Sequence, residues 1–265
     1  MAKIKNLQLI VVVAIMMIIG IVTACDKKNN NSSSGSSINV IEASNIIIET
    51  GSDSYIDSVK IGEYDDFEVF KTFASSPYQN HGFKLSLPAL LTNKYLETIN
   101  ANEFDIKVTI SDKTAKLYPL DFIRAWNNNN TQYSIGSFRY KEKINGSYTE
   151  AMWIYVNKDL NIQGSEQVTN VNENYKVTYT QSINLVLKKG WNIIYNNESE
   201  NETYNSATET YTIAYQDTYS SQKPSNANLK WYGNIYSVEN SYTKGIPKDK
   251  IKLRFGKIFS TKKHF

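Results

Sequence analysis

Apolar and polar residues alternate along several stretches of the chain, and the clearest stretch runs from Tyr175 to Leu187. Its odd-numbered positions are apolar or aromatic except for Gln181, while the even-numbered positions up to Asn184 carry lysine, threonine, serine and asparagine. A period of two predicts a β-strand with one buried face. Residues 188–190, Lys-Lys-Gly, predict a turn, and the alternation resumes at Trp191, so we expect a β-hairpin here.

Shorter segments of similar character follow one another along the chain, separated by clusters of asparagine, aspartate and glycine. Such clusters predict turns, and the segments between them predict β-strands. The predicted turns are residues 127–130, 145–146, 157–159 and 196–202. The predicted strands are residues 46–48, 68–73, 83–87, 104–110, 117–126, 133–140, 152–156, 211–215, 229–236 and 251–259.

Only residues 88–99 predict a helix, because Pro88 suits a first helical turn and the apolar residues from Leu91 to Ile99 fall on one helical face. Many strands without a repeated helical segment predict an all-β fold, an antiparallel β-sandwich of the jelly-roll or immunoglobulin-like type. The predicted body, residues 45–260, is long enough for one hydrophobic core. Two β subdomains divided near residues 111–116 are the alternative.

The first 24 residues have the zones of an export signal. Two lysines precede an apolar stretch from Leu7 to Val22, and small residues then lead to Cys25. This order predicts a secretory signal peptide over residues 1–24. Residues 22–25, Val-Thr-Ala-Cys, resemble the bacterial lipobox, which implies that the Cys25 thiol takes up diacylglycerol. The alternative is an uncleaved membrane helix, for which the apolar stretch is near the lower limit of about 17 residues.

Residues 25–44 are predicted to be the lipid-bearing cysteine and a flexible tether. Residues 26–37 are rich in asparagine, serine and lysine and contain no large apolar side chain, so they cannot bury a core. Their expected span is about 20 Å. We therefore expect the body to lie beside a bacterial membrane, facing away from the cytoplasm, with the inner and the outer membrane both open. Residues 261–265 are predicted to be a short tail.

The charge balance excludes one class of partner. The formal net charge is +3, and two of these charges leave with the signal peptide. The mature chain then has a charge of about +1, which gives no reason to expect nucleic acid as a partner. Cys25 is the only cysteine, so the chain forms no internal disulfide.

One longer pattern resembles a known family. An extended segment at residues 153–164 ends in glycine, and residues 187–192, Leu-Lys-Lys-Gly-Trp-Asn, follow. This pattern, over about residues 135–196, resembles uncharacterised lipoproteins of gut-type Gram-negative bacteria. The resemblance implies an exported β-sandwich lipoprotein with that hairpin, and it implies no catalytic residues.

Catalytic and metal chemistry find little support in the sequence. The only histidines are His81 and His264, and no Gly-x-Ser-x-Gly nucleophile motif is present. Histidine and cysteine are too few for a zinc site. An acidic run from Asp53 to Glu68 predicts a solvated turn, with a calcium site as the alternative. We therefore expect no catalytic residue, no metal and no cofactor, although a pair of Asp or Glu carboxylates in a hydrolase stays an alternative.

Two features are candidates for binding. Trp231 and Tyr232, beside Gly233, are the aromatic pair most expected to be exposed, and exposed rings suit a sugar face. The last 22 residues carry seven excess positive charges, and Lys250, Lys252 and Arg254 would share one face of a strand. That strand predicts a protected sheet edge, with contact to anionic headgroups as the alternative.

These observations predict a lipid-anchored protein of the bacterial cell envelope that binds a glycan or a protein without catalysis. Its expected partners are the membrane, through Cys25, and a glycan or an envelope protein. The two alternatives are a cell-envelope hydrolase that uses carboxylates and a structural component of the envelope.

Overall fold

A computed structural model describes residues 38–65, 69–120, 122–129, 133–144, 146–172 and 174–236. The predicted signal peptide, Cys25 and the predicted strand at residues 251–259 lie outside the described residues. Within the described ranges the chain forms sixteen β-strands. The strands are β1 Val40–Ala43, β2 Ile47–Thr50, β3 Ser58–Tyr64, β4 Phe70–Pro77, β5 Phe83–Ser86, β6 Glu97–Thr98, β7 Thr109–Ile110, β8 Lys116–Leu120, β9 Ile123–Trp126, β10 Gly136–Ile144, β11 Ser147–Val156, β12 Leu160–Val171, β13 Tyr175–Leu187, β14 Gly190–Asn205, β15 Thr210–Ser220 and β16 Lys230–Ile235.

The strands pair mainly antiparallel in one large sheet, and β1 and β5 form a separate pair. The central order of the large sheet is β10-β11-β14-β15-β13-β12. Two pairs of strands in the large sheet are parallel, β13 with β15 and β16 with β2. The predicted all-β sandwich is confirmed.

The central strands separate two hydrophobic clusters. On β11, Trp153 and Tyr155 pack into the first cluster, together with residues of β1, β3, β5 and β16. Ile154 and Val156, which point to the opposite face, pack into the second cluster with residues of β8, β12 and β13. Successive side chains of a strand point to opposite faces, so the predicted doubly covered strand at residues 152–156 is confirmed. β11 therefore packs against both clusters.

The predicted hairpin at residues 187–192 is wrong in its pairing. The chain does turn at residues 188–189, but β13 and β14 are not neighbours, because β15 lies between them and pairs with both. Leu187 packs in the second cluster and Trp191 in the first. The turn therefore joins two strands of the same sheet that are separated by β15.

The motif at residues 187–192 stabilises this crossing. The buried Asn192 side chain accepts a hydrogen bond from Lys188 N at 2.8 Å and donates to the carbonyl oxygens of Lys188 and Gly190 at 2.7 and 3.0 Å. Gly190 has φ +104°, a conformation that side chains disfavour. Trp191 Nε1 donates to Pro88 O at 2.9 Å. The recognisable residues of the motif thus have structural roles.

The predicted helix at residues 88–99 is also wrong. The segment contains a 3-10 turn at Asn93–Tyr95 and the short strand β6. Leu96 packs in the first cluster, whereas Ile99 packs in the second. A helix would place residues three apart on the same face, so the requirement to reach both clusters favours an extended chain.

Three further boundaries differ from the predictions. The folded body starts before residue 45, because β1, at residues 40–43, pairs with β5 inside the predicted tether. Of the predicted strand at 104–110, only β7 forms. The predicted turn at 196–202 lies in the middle of β14, where β15 pairs with the whole segment and β11 pairs with it as far as Ser199.

Candidate functional site

Four strands continue beyond both hydrophobic clusters as a single layer, which we call the blade. It consists of residues 165–171 of β12, 175–180 of β13, 197–205 of β14 and 210–216 of β15. None of the residues in these four stretches is buried, so the blade offers both of its faces to solvent.

Register and alternation assign each blade side chain to one of two faces. Glu200 lies opposite Tyr215, which lies opposite Tyr179, which lies opposite Val168. Directly opposed residues share a face, and so do alternate residues of one strand. We call this surface the acidic face. Its members are Glu166, Val168, Asn170, Tyr175, Val177, Tyr179, Glu198, Glu200, Glu202, Tyr204, Tyr211, Ile213 and Tyr215.

The middle of the acidic face is aromatic and apolar. Tyr175 and Tyr211 stack with ring centroids 5.4 Å apart and an interplanar angle of 17°. Tyr179 and Tyr215 stack at 4.8 Å and 13°. Val177 and Ile213 lie opposite each other between the two stacks. Cross-strand pairs of this kind stabilise a sheet that lacks a covered core.

A column of glutamates borders this patch along β14. Glu198, Glu200 and Glu202 occupy alternate positions and are exposed. Reduced hydration and the Glu200 carboxylate raise the pKa of Tyr215, whose hydroxyl contacts Glu200. On the four described blade strands, no lysine or arginine shares this face. The acidic face therefore combines an aromatic centre with an acidic border. Outside the blade, β10 places Lys143 on the same face, in register with Glu198 through Tyr148.

The acidic face ends at a buried polar row where the blade meets the body. Glu198 lies opposite Asp217, and Asp217 lies opposite Gln181. Asp217 is only 7% exposed, and Gln181 Nε2 donates to its Oδ2 at 3.2 Å. Burial raises the pKa of Asp217 to about 6, Glu198 adds to this rise, and the Gln181 hydrogen bond opposes it.

The opposite face of the blade is neutral apart from Lys176 and carries hydroxyl and amide groups. Gln167 Nε2 donates to Thr180 Oγ1 at 3.1 Å, and the hydroxyls of Thr169 and Thr178 lie 3.2 Å apart. On β14 this face carries Ser199, Asn201 and Thr203. These three residues alternate with the glutamates and provide matched control positions.

The predicted aromatic pair does not form a platform. Trp231 is only 7% exposed, stacks on Trp153 at 5.6 Å and on Tyr140 at 5.0 Å, and donates from Nε1 to Glu42 O at 3.2 Å. It is a core residue. Tyr232 is half-buried, with Lys141 Nζ 5.0 Å from its ring centroid.

The acidic run and the loop histidine come together in a way that sequence spacing does not show. His81 Nδ1 lies 2.6 Å from Asp53 Oδ2, and the Tyr78 hydroxyl donates to the same oxygen at 3.1 Å. Asp57 instead accepts from Asn128 N at 2.7 Å, and Asp65 pairs with Lys71 at 3.2 Å. The described residues hold no group of three His, Cys, Asp or Glu side chains arranged for a metal ion.

A concave site of substrate size would be expected in an enzyme. The cavity beside Phe122, Arg139 and Glu150 has a volume of about 20 Å³, which is room for about one water molecule. Glu150 accepts from the Tyr148 hydroxyl at 2.7 Å and lies 3.6 Å from Arg139. This cavity does not fit an organic substrate.

No helix among the described residues is long and apolar enough to cross a bilayer. Comparisons with protein-family models, curated proteins and solved structures found no match for this chain.

Proposed function

We propose that this chain is a lipid-anchored protein of the bacterial cell envelope that binds a protein partner through the acidic face without catalysing a reaction. The export signal and Cys25 support the anchor, and the resemblance of residues 135–196 to exported lipoproteins agrees with it. The body would then lie outside the cytoplasm, beside the membrane that holds the lipid.

The observation that carries the binding role is the exposure of an aromatic patch on a single-layer sheet. Interface centres are enriched in tyrosine and other aromatic residues, surrounded by a polar rim. The acidic face has this arrangement, with Ile213 and the stacked tyrosines in the middle and the glutamates of β14 along one side. An unpartnered surface of this kind is typical of an interaction site.

The tyrosine geometry favours a protein over a glycan. Sugars bind to aromatic residues by lying against the flat side of the ring. In the Tyr175–Tyr211 and Tyr179–Tyr215 stacks, the flat sides face each other. Each stack covers one flat side of both rings, which reduces the ring surface open to a sugar, while the hydroxyls can form hydrogen bonds with a polypeptide.

Carboxylate-based hydrolysis is the second candidate, because Glu198 and Asp217 are directly opposed and burial raises the pKa of Asp217 to about 6. A retaining glycosidase uses two carboxyl groups about 5 Å apart, one with a raised pKa. Asp217 is nevertheless almost fully buried, so a substrate has no open path to it. Release of reducing sugar from envelope polysaccharides, lost in Glu198→Gln, would support this candidate instead.

Binding of the full chain to purified envelope proteins and to glycans tests the proposal. We expect at least one protein ligand and expect the triple variant Glu198→Gln, Glu200→Gln, Glu202→Gln to weaken its binding at least tenfold. The matched control is Ser199→Ala, Asn201→Ala, Thr203→Ala, on the opposite face of the same strand, which should leave affinity unchanged. Glycan binding without protein binding, or equal affinity in both triple variants, would overturn the proposal.

A further inference from the structure

The glutamate column has a regular spacing that can be matched with other segments of the same chain. Glu198, Glu200 and Glu202 are alternate residues of an extended strand. The rise in a strand is about 3.4 Å per residue, so successive carboxylates repeat about every 6.8 Å. An extended segment with cations at every second residue has the same repeat.

The C-terminal sequence has cations at every second residue, among residues that lie outside the described ranges. Lys250, Lys252 and Arg254 alternate with Ile251, Leu253 and Phe255. Residues 244–265 contain eight lysine and arginine residues and one aspartate, a net charge of 8 − 1 = +7. This is the charge and spacing that complements three glutamates in a row.

The connecting chain is long enough to reach the blade. The last described strand, β16, pairs with β10, and β11 and β14 follow in the sheet. Three strand spacings are about 14 Å. Along the strand direction, Ile235 lies opposite Gly136 of β10. Glu198 lies opposite Tyr148, which lies opposite Lys143 of β10. Seven residues along a strand are about 23 Å. The straight distance is thus about 27 Å, whereas the 13 residues 237–249 can span about 45 Å.

We infer that Lys250, Lys252 and Arg254 bind the glutamate column of their own chain and cover the acidic face when no partner is bound. This inference rests on the proposed function, because it makes the C-terminal segment an internal competitor for the partner site. The C-terminal segment supplies three cations to the glutamate column, whereas the described blade strands place no lysine or arginine on this face. Exposed ion pairs are individually weak, so a partner with a larger apolar contact can displace the segment.

Zero-length carbodiimide cross-linking of the full chain tests the contact directly, since it joins an amine to a carboxylate only where the two touch. We expect peptides that link Lys250 or Lys252 to Glu198, Glu200 or Glu202, at least fivefold more abundant than links from the same lysines to the control carboxylate Glu103. A mixture of unlabelled and ¹⁵N-labelled protein separates links within one chain from links between copies. Mixed-isotope links would overturn the inference in favour of contact with a second copy, and links spread evenly over exposed carboxylates would overturn it altogether.

A synthetic peptide of residues 248–257 provides the second measurement. The full-chain variant Lys250→Glu, Lys252→Glu, Arg254→Glu should bind this peptide at least tenfold more tightly than the unaltered chain, because its own segment no longer competes. Adding the Glu→Gln triple substitution on β14 should abolish that binding. Equal peptide binding by the unaltered and the charge-reversed chain, or none by either, contradicts the inference. In both cases binding of an envelope protein to the acidic face would still stand, because it is measured separately.

Discussion

Glu198 lies directly opposite Asp217 across the β14–β15 pair, so two carboxyl groups share one position of the sheet. Like charges at opposed positions destabilise a sheet, and Asp217 is also buried. Its Oδ1 has no hydrogen-bond partner among the described residues. Burial is the main cause that raises the pKa of Asp217 to about 6, and the Glu198 carboxylate adds to the rise.

Asp217→Asn should therefore stabilise the protein in a pH-dependent way. Between about pH 4 and pH 6 the folded chain holds a proton on Asp217 that the unfolded chain has released, so the free energy of unfolding falls as the pH rises through this range. Asparagine has no proton to release in this range, so the substituted protein does not lose this unfolding free energy. We expect a gain of about 3 kcal/mol at pH 8 and almost none at pH 4, measured by urea denaturation. Asp105→Asn, at an exposed carboxylate, is the control and should show no such difference; an equal effect of Asp217→Asn at both pH values would contradict the assignment.

Trp231 should behave as a core residue. Its ring packs between Trp153 and Tyr140 in the first cluster. Removing a buried tryptophan costs about 3–5 kcal/mol through lost contacts and the remaining cavity, so Trp231→Ala should lower the unfolding free energy by this amount. Tyr232→Ala is the neighbouring control on the half-exposed side and should cost about 1 kcal/mol or less. Similar losses in the two variants would mean that Trp231 is not packed as described.

Asn192 should be indispensable to the crossing between β13 and β14. Its side chain makes three hydrogen bonds with backbone groups of Lys188 and Gly190 while only 3% exposed. Asn192→Ala leaves these groups without partners, at an expected cost of about 2–4 kcal/mol in unfolding free energy. Asn184→Ala, on the exposed side of β13, should cost less than about 1 kcal/mol. If thermal denaturation ranks the two variants equally, the turn does not depend on Asn192.

The membrane anchor makes a separate prediction. Bacteria fed a clickable fatty acid should label the unaltered chain, and Cys25→Ser should abolish the label, because no other cysteine exists in the sequence. Cell fractionation should show the substituted chain losing its association with membranes. A variant that is still labelled would contradict Cys25 as the acylated residue, and a variant that stays in the membrane fraction unlabelled would support an uncleaved apolar helix instead.

The sequence predicted a strand correctly where apolar and polar residues alternate along it. The alternation from Tyr175 to Leu187 gives β13 with both of its ends correct. Its neighbours were not predictable, because β15, which separates β13 from β14, is supplied by residues 210–220, beyond the turn. The helix expected at residues 88–99 failed for a similar reason, since only the folded protein shows that the segment reaches two separate clusters.

The composition of residues 196–202 made the acidic face difficult to predict from sequence. Residues 196–202 contain only asparagine, serine, glutamate and no apolar side chain, and such residues favour turns in isolation. Backbone pairing with β15 along the whole segment, and with β11 as far as Ser199, overrides that preference. The alternation of Glu198, Glu200 and Glu202 was a usable signal for a strand. Tyrosines 175 and 179, and tyrosines 211 and 215, are four residues apart and so lie on one face of their strand. Only the parallel pairing of β13 with β15 brings the rings of the two strands together.

Photo-cross-linking in living bacteria tests the binding role most directly. A benzoylphenylalanine placed at Tyr215 lies on the acidic face, and one at Thr212 lies on the opposite face of the same strand. We predict a discrete, protease-sensitive adduct of higher mass from position 215 only, and its loss when Glu198, Glu200 and Glu202 become glutamine. Equal adducts from both positions, or none from position 215, would contradict the account.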